Sequence, residues 1–221
     1  MNINLLLSET NRSLIYISVL FKNRIQVKKI FYYSKKKGEL YKYLKEKKLL
    51  TITKVINSND INSSFLYKNL KLFNNKNIII YSGYPGQIIR NKKILKKKLI
   101  HFHPGNLPFF KGSTTIYYTL LMKKKLCVST IILNDKIDTG KILFKKFFSP
   151  PKNINEIENK FDDYIRGNTL VSFTKNYKSK SSFRKKNTEK TKFNYYIAHP
   201  IIRKIVLNKT SVKKLFLKFS I

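Results

Sequence analysis

The chain has 221 residues, 42% of them hydrophobic and 14% aromatic, which is enough for one domain core and unlike a disordered composition. Its single cysteine, Cys127, excludes an intrachain disulfide and a cysteine zinc cluster. The formal net charge of +36 favours anionic substrates and partners.

Short apolar runs alternate with amphipathic stretches through the first half of the chain. Strands are predicted over residues 3–7, 25–33, 52–56 and 78–81. Helices are predicted over residues 12–21, 36–48 and 61–74. The polar turn 8–11 is predicted to cap the first helix. A glycine–proline loop over 82–87 follows, and then a short helix over 88–98.

The second half continues this alternation around one strand, 99–103, which we expect to end at Pro104 and Gly105. Beyond it we predict a loop over 104–113, a helix over 114–124, and a strand pair over 127–133 and 142–148. A helix over 154–177, a basic linker over 178–192, and amphipathic segments over 193–207 and 212–221 complete the prediction. Strands that alternate with helices predict a parallel α/β sheet.

The basic charge has two interpretations. One is a surface that binds tRNA or another anionic partner. The other is a bias in composition that places lysine at surface positions throughout the chain. The second is favoured because only 6 of the 47 basic residues are arginine, whose planar side chain binds phosphates and bases better.

Neither a signal peptide nor a membrane span is predicted. The apolar start is short and is followed at once by Glu9 and Arg12, and no apolar run approaches the roughly 18 residues of a membrane helix. We therefore expect a cytoplasmic protein.

The stretch from residue 99 to 143 holds the polar residues typical of a working site. His101 and His103 lie two apart in a predicted strand, so their side chains share one face and are roughly 7 Å apart. His103 ends that strand, and open α/β sheets bind ligands at the carboxyl ends of their strands. Asp138 lies in the loop of the predicted strand pair, where Asp135 is expected to be a turn residue only.

Three segments here resemble signatures of one family. HPGNLPFFKGSTT (103–115), KIDTGKIL (136–143) and YSGYPGQII (81–89) resemble the formyltransferases of one-carbon metabolism, which move a formyl group from 10-formyltetrahydrofolate to an amine. The family includes methionyl-tRNA, glycinamide ribonucleotide and sugar-nucleotide formyltransferases. The resemblance implies a Rossmann-like, mostly parallel sheet with helices on both faces, here with a basic helical extension at the carboxyl terminus.

This resemblance divides the chain into three parts. We expect the catalytic α/β core over 1–150, a helix packed on it over 151–177, and a basic linker with amphipathic segments over 178–221. The chain is too short to include the separate barrel with which methionyl-tRNA formyltransferases hold tRNA, and this counts against a tRNA substrate. No GxGxxG loop follows the first strand, so nothing favours a dinucleotide cofactor.

The resemblance also implies catalytic roles. His103 occupies the place of the family's histidine, which stabilises the oxyanion of the formyl group. Asp138 occupies the place of the aspartate that keeps this histidine charged and relays the proton of the amine. His101 stands where the family has an asparagine, and a histidine donates hydrogen bonds in a pH-dependent way. This change puts full catalytic rate in doubt.

Two further groups of residues are implied to bind ligands. The loop implied to meet the pterin of 10-formyltetrahydrofolate contains Ser82, Gly83, Tyr84, Gly86, Gln87 and Ile88. A phosphate or carboxylate of the acceptor is expected at a helix start formed by Lys111, Gly112, Ser113 and Thr114. An ordinary helix cap explains the second group equally well. No metal is expected.

The sequence therefore predicts formyl transfer from 10-formyltetrahydrofolate to a primary amine on a small, phosphorylated acceptor. Two alternatives stay open. The first is formylation of methionyl-tRNA, with the basic surface replacing the missing domain. The second is an inactive relative that serves as a basic nucleic-acid-binding or scaffold protein.

Overall fold

A computed structural model describes residues 3–71, 78–177 and 194–208. It contains one seven-stranded sheet in the order β3-β2-β1-β4-β5-β6-β7. The strands are β1 (Ile3–Ser8), β2 (Val27–Tyr33), β3 (Thr53–Ile56), β4 (Ile78–Ser82), β5 (Leu99–His103), β6 (Leu126–Ile132) and β7 (Ile142–Phe148). Strands β1 to β5 are parallel, β6 pairs antiparallel with β5, and β7 pairs antiparallel with β6, which confirms the predicted mostly parallel sheet.

Seven α-helices connect or cover these strands in the described residues. They are α1 (Asn11–Lys22), α2 (Glu39–Glu46), α3 (Ser64–Lys71), α4 (Lys92–Leu95), α5 (Thr115–Leu121), α6 (Asp162–Asn176) and α7 (Pro200–Leu207). The predicted cap of α1 is confirmed, because the Thr10 hydroxyl accepts a hydrogen bond from the Ser13 amide at 3.2 Å. None of these helices is long and apolar enough to cross a membrane.

Helices cover both faces of the sheet, as predicted. On one face, Leu5, Ile80 and Phe102 pack in one apolar cluster with side chains of α1 and α6, including Tyr16 and Phe173. A second cluster occupies the opposite face, where α3 and α4 pack on β2, β4 and β5. Strand side chains alternate between the two clusters, and each face of β5 is therefore buried under helices.

The chain reverses direction across the sheet between β1 and β4. Strands β1, β2 and β3 extend outward on one side, and β4 then returns to the other side of β1. The carboxyl ends of the parallel strands β1, β4 and β5 consequently lie at the same end of the sheet. The switch point of the topology lies between β1 and β4. Strand β6 runs antiparallel to β5, pairing Ile132 with Ile100. The β6–β7 loop, which contains Asp138, thus starts near the amino end of β5.

One predicted helix is shorter than expected. Residues 88–98 form a helix only over α4, because Asn62 binds the Ile88 carbonyl and the amides of Arg90 and Asn91 and keeps this segment extended. The amphipathic segment predicted over 193–207 is helical only from Pro200, because the preceding residues pair with the loop before α5. Residues 72–74 of the helix predicted over 61–74 lie outside the described residues.

The remaining differences concern segment ends. The helix predicted over 36–48 ends at Glu46 and is followed by a 3₁₀ turn over Leu49–Ile52. Ahead of α6, residues Ile157–Phe161 form a π-helical turn where a regular helix was predicted. The linker over 178–192 and the amphipathic segment 212–221 lie outside the described residues.

Candidate active site

His103 ends β5 and is almost completely buried, with 2% of its surface exposed. Its Nε2 lies 2.7 Å from the Phe110 carbonyl oxygen, and its Nδ1 lies 3.3 Å from Asp138 Oδ2. The β6–β7 loop therefore folds back from the amino end of β5 over the face that carries this histidine. The structure brings together the two residues that the sequence placed at the centre of the site.

The turn after β5 leaves just enough space for this ring. A Cβ atom on Gly105 would lie 2.5 Å from His103 Nε2 and 2.4 Å from the Phe110 oxygen, so only glycine fits here. Ser129 fixes the turn from β6, since its hydroxyl donates to the Gly105 carbonyl at 2.6 Å and accepts from the Leu107 amide at 3.1 Å. The position of His103 is thus set by Gly105 in the turn after β5 and by Ser129 on the neighbouring strand β6.

Asp138 is held by its own backbone and by a neighbouring loop. It has a positive φ of 50°, an unusual conformation for a residue with a side chain. Its Oδ2 accepts a hydrogen bond from the Gly112 amide at 2.8 Å, and the same oxygen faces His103. A carboxylate that binds an amide and an imidazole together is fixed in direction, as a proton relay requires.

The two partners of His103 are both hydrogen-bond acceptors. A neutral imidazole has one N–H and can donate to only one of them, whereas the protonated ring can donate to both. Burial lowers the pKa of His103, and the Asp138 carboxylate and the Phe110 carbonyl oppose that lowering. The arrangement can therefore hold a proton at Nδ1 that is shared with Asp138.

His101 lies on the same face of β5 as predicted, with its ring centroid 6.3 Å from that of Tyr81. Its Nδ1 is buried and has no hydrogen-bond partner among the described residues. Burial holds the pKa of His101 well below its usual value, and the cations Arg166 and Arg12 lower it further. The ring is therefore neutral at neutral pH. Near neutral pH, its hydrogen-bond donation does not change with pH as the sequence led us to expect.

Arg166 of α6 supports β5 from the opposite face, and sequence analysis missed it. Its Nη1 donates to the carbonyl of Phe102, the residue between the two histidines, at 2.9 Å. Its other nitrogens bind both oxygens of Asp162 at 2.8 Å. An arginine within an acidic helix was the available signal, because a buried arginine needs such a partner.

A cleft of about 490 Å³ opens beside Asp138. The lining residues are Ile88, Arg90, Lys111, Asp135, Lys136, Ile137, Thr139 and Asn194. Four of them belong to the loop that contains Asp138, and three of the eight are cations. Arg90 was missed because the sequence predicted a helix around it. The charge of such a cleft suits an anionic ligand, although neither His103 nor Asp138 is among the lining residues.

Of the residues of the predicted folate loop, only Ile88 lines this cleft. Ser82 and Gly83 instead bind Arg12 of α1, through the Ser82 hydroxyl at 3.2 Å and the Gly83 carbonyl at 2.6 Å. The other contacts point toward β2 and β3, because hydrogen bonds direct the side chains of Tyr84 and Gln87 to Ser34, Asn59 and Tyr33. Gly86, with a φ of 75°, has open space around it.

The predicted acceptor loop is largely occupied by the protein itself. The Gly112 amide binds Asp138, and the Ser113 amide donates to the Tyr195 carbonyl at 2.8 Å. Thr114 precedes α5, and its hydroxyl accepts from the Ala198 amide at 2.7 Å. The amides of Gly112 and Ser113 are therefore already bound within the protein. Lys111 is the member of the group that lines the cleft.

His199 and the acidic residues complete the inventory of candidate groups. His199 is exposed, and its Nδ1 caps α7 by accepting from the Ile201 amide at 3.3 Å. Within the described ranges, no three His, Cys, Asp or Glu side chains are grouped closely enough to hold a metal ion.

Comparisons with known proteins define the fold. No protein-family model matches the sequence, and no curated protein is significantly similar to it. Solved formyltransferase structures do match. A sugar N-formyltransferase from a Shewanella species is 15% identical, with 94% of this chain and 87% of that chain covered and a TM-score of 0.54.

Two other structures represent different acceptors. Methionyl-tRNA formyltransferase from Clostridium thermocellum is 18% identical, with 91% of this chain and 74% of that chain covered and a TM-score of 0.56. An N-formyltransferase from Helicobacter canadensis, solved with folinic acid and dTDP-3-aminofucose, is 15% identical, with coverages of 89% and 71% and a TM-score of 0.57. The chain thus has the formyltransferase fold, as its sequence motifs predicted.

Proposed function

We propose that this protein transfers a formyl group from 10-formyltetrahydrofolate to a primary amine on a small, anionic acceptor. The observation that supports this most directly is the His103–Asp138 pair, 3.3 Å apart at the two positions implied by the motifs. The residues on either side of Asp138, Ile137 and Thr139, line the cleft. The fold, which this chain shares with formyltransferases for several acceptors, agrees with the proposal but does not specify the acceptor.

In the proposed reaction, Asp138 and His103 act on the developing charge. The amine attacks the formyl carbon, the carbonyl oxygen gains negative charge, and the amine must lose a proton. The bond between the formyl carbon and N10 then breaks, N10 takes up a proton, and tetrahydrofolate leaves. Asp138 takes that proton, because its carboxylate faces the cleft loop and has one oxygen bound to Gly112 and His103. Protonated His103 stabilises the oxyanion. Of the two contacts of His103, the 3.3 Å contact to Asp138 is longer than the contact to the Phe110 carbonyl. We therefore propose that the contact to Asp138 breaks when the substrate binds.

His101 takes the part of a neutral hydrogen-bond donor. Its low pKa keeps one N–H on the ring at neutral pH, as an asparagine side chain would supply at every pH. The buried Nδ1 has no partner among the described residues, so it is available to a bound ligand. Because the proposal needs His103 charged and His101 neutral, we expect the rate to have a bell-shaped dependence on pH.

The cleft is proposed to bind anionic groups of the two substrates. Lys111 and Arg90 line its opposite loops, and Lys136 lies beside Asp138. Folates carry carboxylates on their glutamate tail, and a phosphorylated acceptor carries phosphates, so both are attracted by this charge. The folate contact is proposed at Ile88 and Arg90, because the other residues of the predicted loop are turned away from the cleft.

Calorimetric titration with folinic acid, a stable formyl folate, tests the first half of the proposal. We expect wild-type protein to bind it. In a separate assay with 10-formyltetrahydrofolate, we expect the protein to formylate an amine from a panel of amino sugars, amino-sugar nucleotides, glycinamide ribonucleotide and methionyl-tRNA. Absence of binding at about millimolar ligand, where a binding free energy is only about 4 kcal/mol, would reject the proposal.

The net charge of +36 favours one further candidate, an RNA-binding protein without turnover. Binding to tRNA would then weaken steeply as salt is raised, since each neutralised phosphate releases counterions. The same panel decides between the two, because formylation of methionyl-tRNA or of a small amine requires the site, whereas salt-sensitive RNA binding does not.

A further inference from the structure

A short segment from the carboxyl-terminal region pairs with the loop before α5. Residues 194–199, here called the strap, run beside residues 111–114 ahead of α7. The Tyr195 amide donates to the Lys111 carbonyl at 2.7 Å, and the Ser113 amide donates to the Tyr195 carbonyl at 2.8 Å. These two bonds bracket Gly112, which forms a parallel bridge with Tyr195.

The bridge fixes the amide that holds Asp138. Gly112 has a φ of 103°, and a Cβ atom on it would lie 2.0 Å from the Tyr195 oxygen. A residue with a side chain therefore does not fit at position 112 beside the strap. From this position the Gly112 amide donates to Asp138 Oδ2 at 2.8 Å. That oxygen is the one that lies 3.3 Å from His103 Nδ1.

The side chain of Tyr195 fixes the second partner of His103. Its ring stacks on Phe110 at a centroid distance of 5.4 Å and an angle of 20°, and it packs on Tyr118 of α5 at 4.6 Å. The Phe110 carbonyl is the acceptor for His103 Nε2. Backbone and ring of one strap residue therefore hold the two groups that face the two nitrogens of the histidine.

We propose that Tyr195 is a positioning residue that sets the Asp138 carboxylate and the Phe110 carbonyl around His103. It acts through Gly112 and Phe110 and touches no reacting atom. Its effect on turnover rests on the proposed function, whereas its effect on His103 is a property of the ligand-free protein. The two can therefore be tested apart.

The test is an NMR titration of His103 in ligand-free, isotope-labelled protein. Asp138→Asn removes the carboxylate that raises the pKa of His103, so we expect that pKa to fall. We expect Tyr195→Ala to lower it by at least about half as much, and to lower it less in the Asp138→Asn background, where only the contact to the Phe110 carbonyl is left to disturb. A wild-type pKa in Tyr195→Ala, or a shift in the opposite direction, would overturn the proposal.

Two matched variants separate positioning from general damage. Tyr195→Phe keeps both ring contacts and loses only the hydroxyl contact to Met122 Sδ at 3.7 Å, so we expect a wild-type titration. Tyr196→Ala removes the next ring, which is 82% exposed, and should also leave His103 unchanged. If Tyr195→Ala does not fold, Tyr195→Leu serves in its place, since it fills part of the same space without stacking.

Turnover supplies the second readout. With an acceptor in hand, Tyr195→Ala should lower kcat about tenfold or more and change KM little, because misplacement of a catalytic pair affects the chemical step. A kcat equal to wild type would overturn the positioning role. If wild-type protein formylates no acceptor, the proposed function fails, and the titrations still decide what Tyr195 does.

Discussion

Two polar clusters lie on this sheet, and they differ in how completely their hydrogen bonds are satisfied within the protein. The first lies at the switch point between β1 and β4, where doubly wound sheets commonly bind ligands. There Ser82 binds Ser13 and Arg12 at 2.9 and 3.2 Å, and Glu9 accepts from Gly38 and Leu40 at the start of α2. A ligand at this place would have to break these bonds.

The second cluster, around β5, has spare capacity. The buried Nδ1 of His101 has no partner in the described part of the chain, and His103 lies between two acceptors, the Phe110 carbonyl and the Asp138 carboxylate. Buried polar groups are normally satisfied. Asn4 Oδ1, Tyr16 Oη and Thr130 Oγ1 also lack a partner in the described residues, so an unpaired atom alone does not mark a ligand site, but His101 lies on the strand face that carries His103. The contrast teaches that satisfaction of hydrogen bonds, more than position in the topology, separates a supporting cluster from a reactive one.

The largest expected effect is the loss of turnover when the second cluster, around β5, loses its carboxylate. Asp138→Asn keeps the shape of the side chain but cannot take the proton of the amine, so we expect turnover to fall about 10²- to 10⁴-fold. Folinic acid should still bind. Glu39→Gln is the matched control, because it removes one carboxylate from an exposed ion pair with Lys42. Equal rates for wild type and Asp138→Asn would remove the aspartate from the mechanism.

The His103–Asp138 pair was predictable from the sequence, because both residues stand in short local signatures. The supporting contacts were not. Arg166 reaches the Phe102 carbonyl across 64 positions of the chain, and the strap reaches Gly112 across more than 80. Such contacts depend on how helices pack, which no local pattern contains. For the same reason, the hydrogen bonds of Asn62 that shorten the helix after Ile88 could not be foreseen.

A second prediction tests the neutral state of His101. Its pKa is lowered in the folded protein, so the unfolded chain binds a proton first as pH falls below about 6.5. Stability is therefore complete above that pH and decreases below it, by at most about 1.4 kcal/mol per pH unit for one proton. Urea unfolding between pH 7 and 5 measures this slope. His101→Asn should flatten it, and an unchanged slope would show that another group titrates.

A third prediction concerns the switch-point cluster and should alter stability alone. Glu9→Gln removes the charge that accepts from three backbone amides at the start of α2 and from the Tyr32 hydroxyl at 2.5 Å. We expect a loss of about 1–2 kcal/mol in the free energy of unfolding, with folinic acid affinity unchanged. Glu46→Gln, on the exposed end of the same helix, should cost less than about 0.5 kcal/mol. Weaker ligand binding in Glu9→Gln would mean that the switch point also binds substrate.

The smallest expected effect sharpens the comparison at the cleft. Arg90→Gln removes one cation from the cleft wall, while Arg24→Gln removes one from the exposed turn after α1 and changes the net charge equally. Folinic acid should bind Arg90→Gln about 3- to 10-fold more weakly than wild type, since a charged hydrogen bond at a partly exposed site contributes about 1 kcal/mol. The difference should shrink as salt is raised, because exposed charges are screened. Equal weakening by both variants would mean that the overall field of the protein, and no contact in the cleft, attracts the folate.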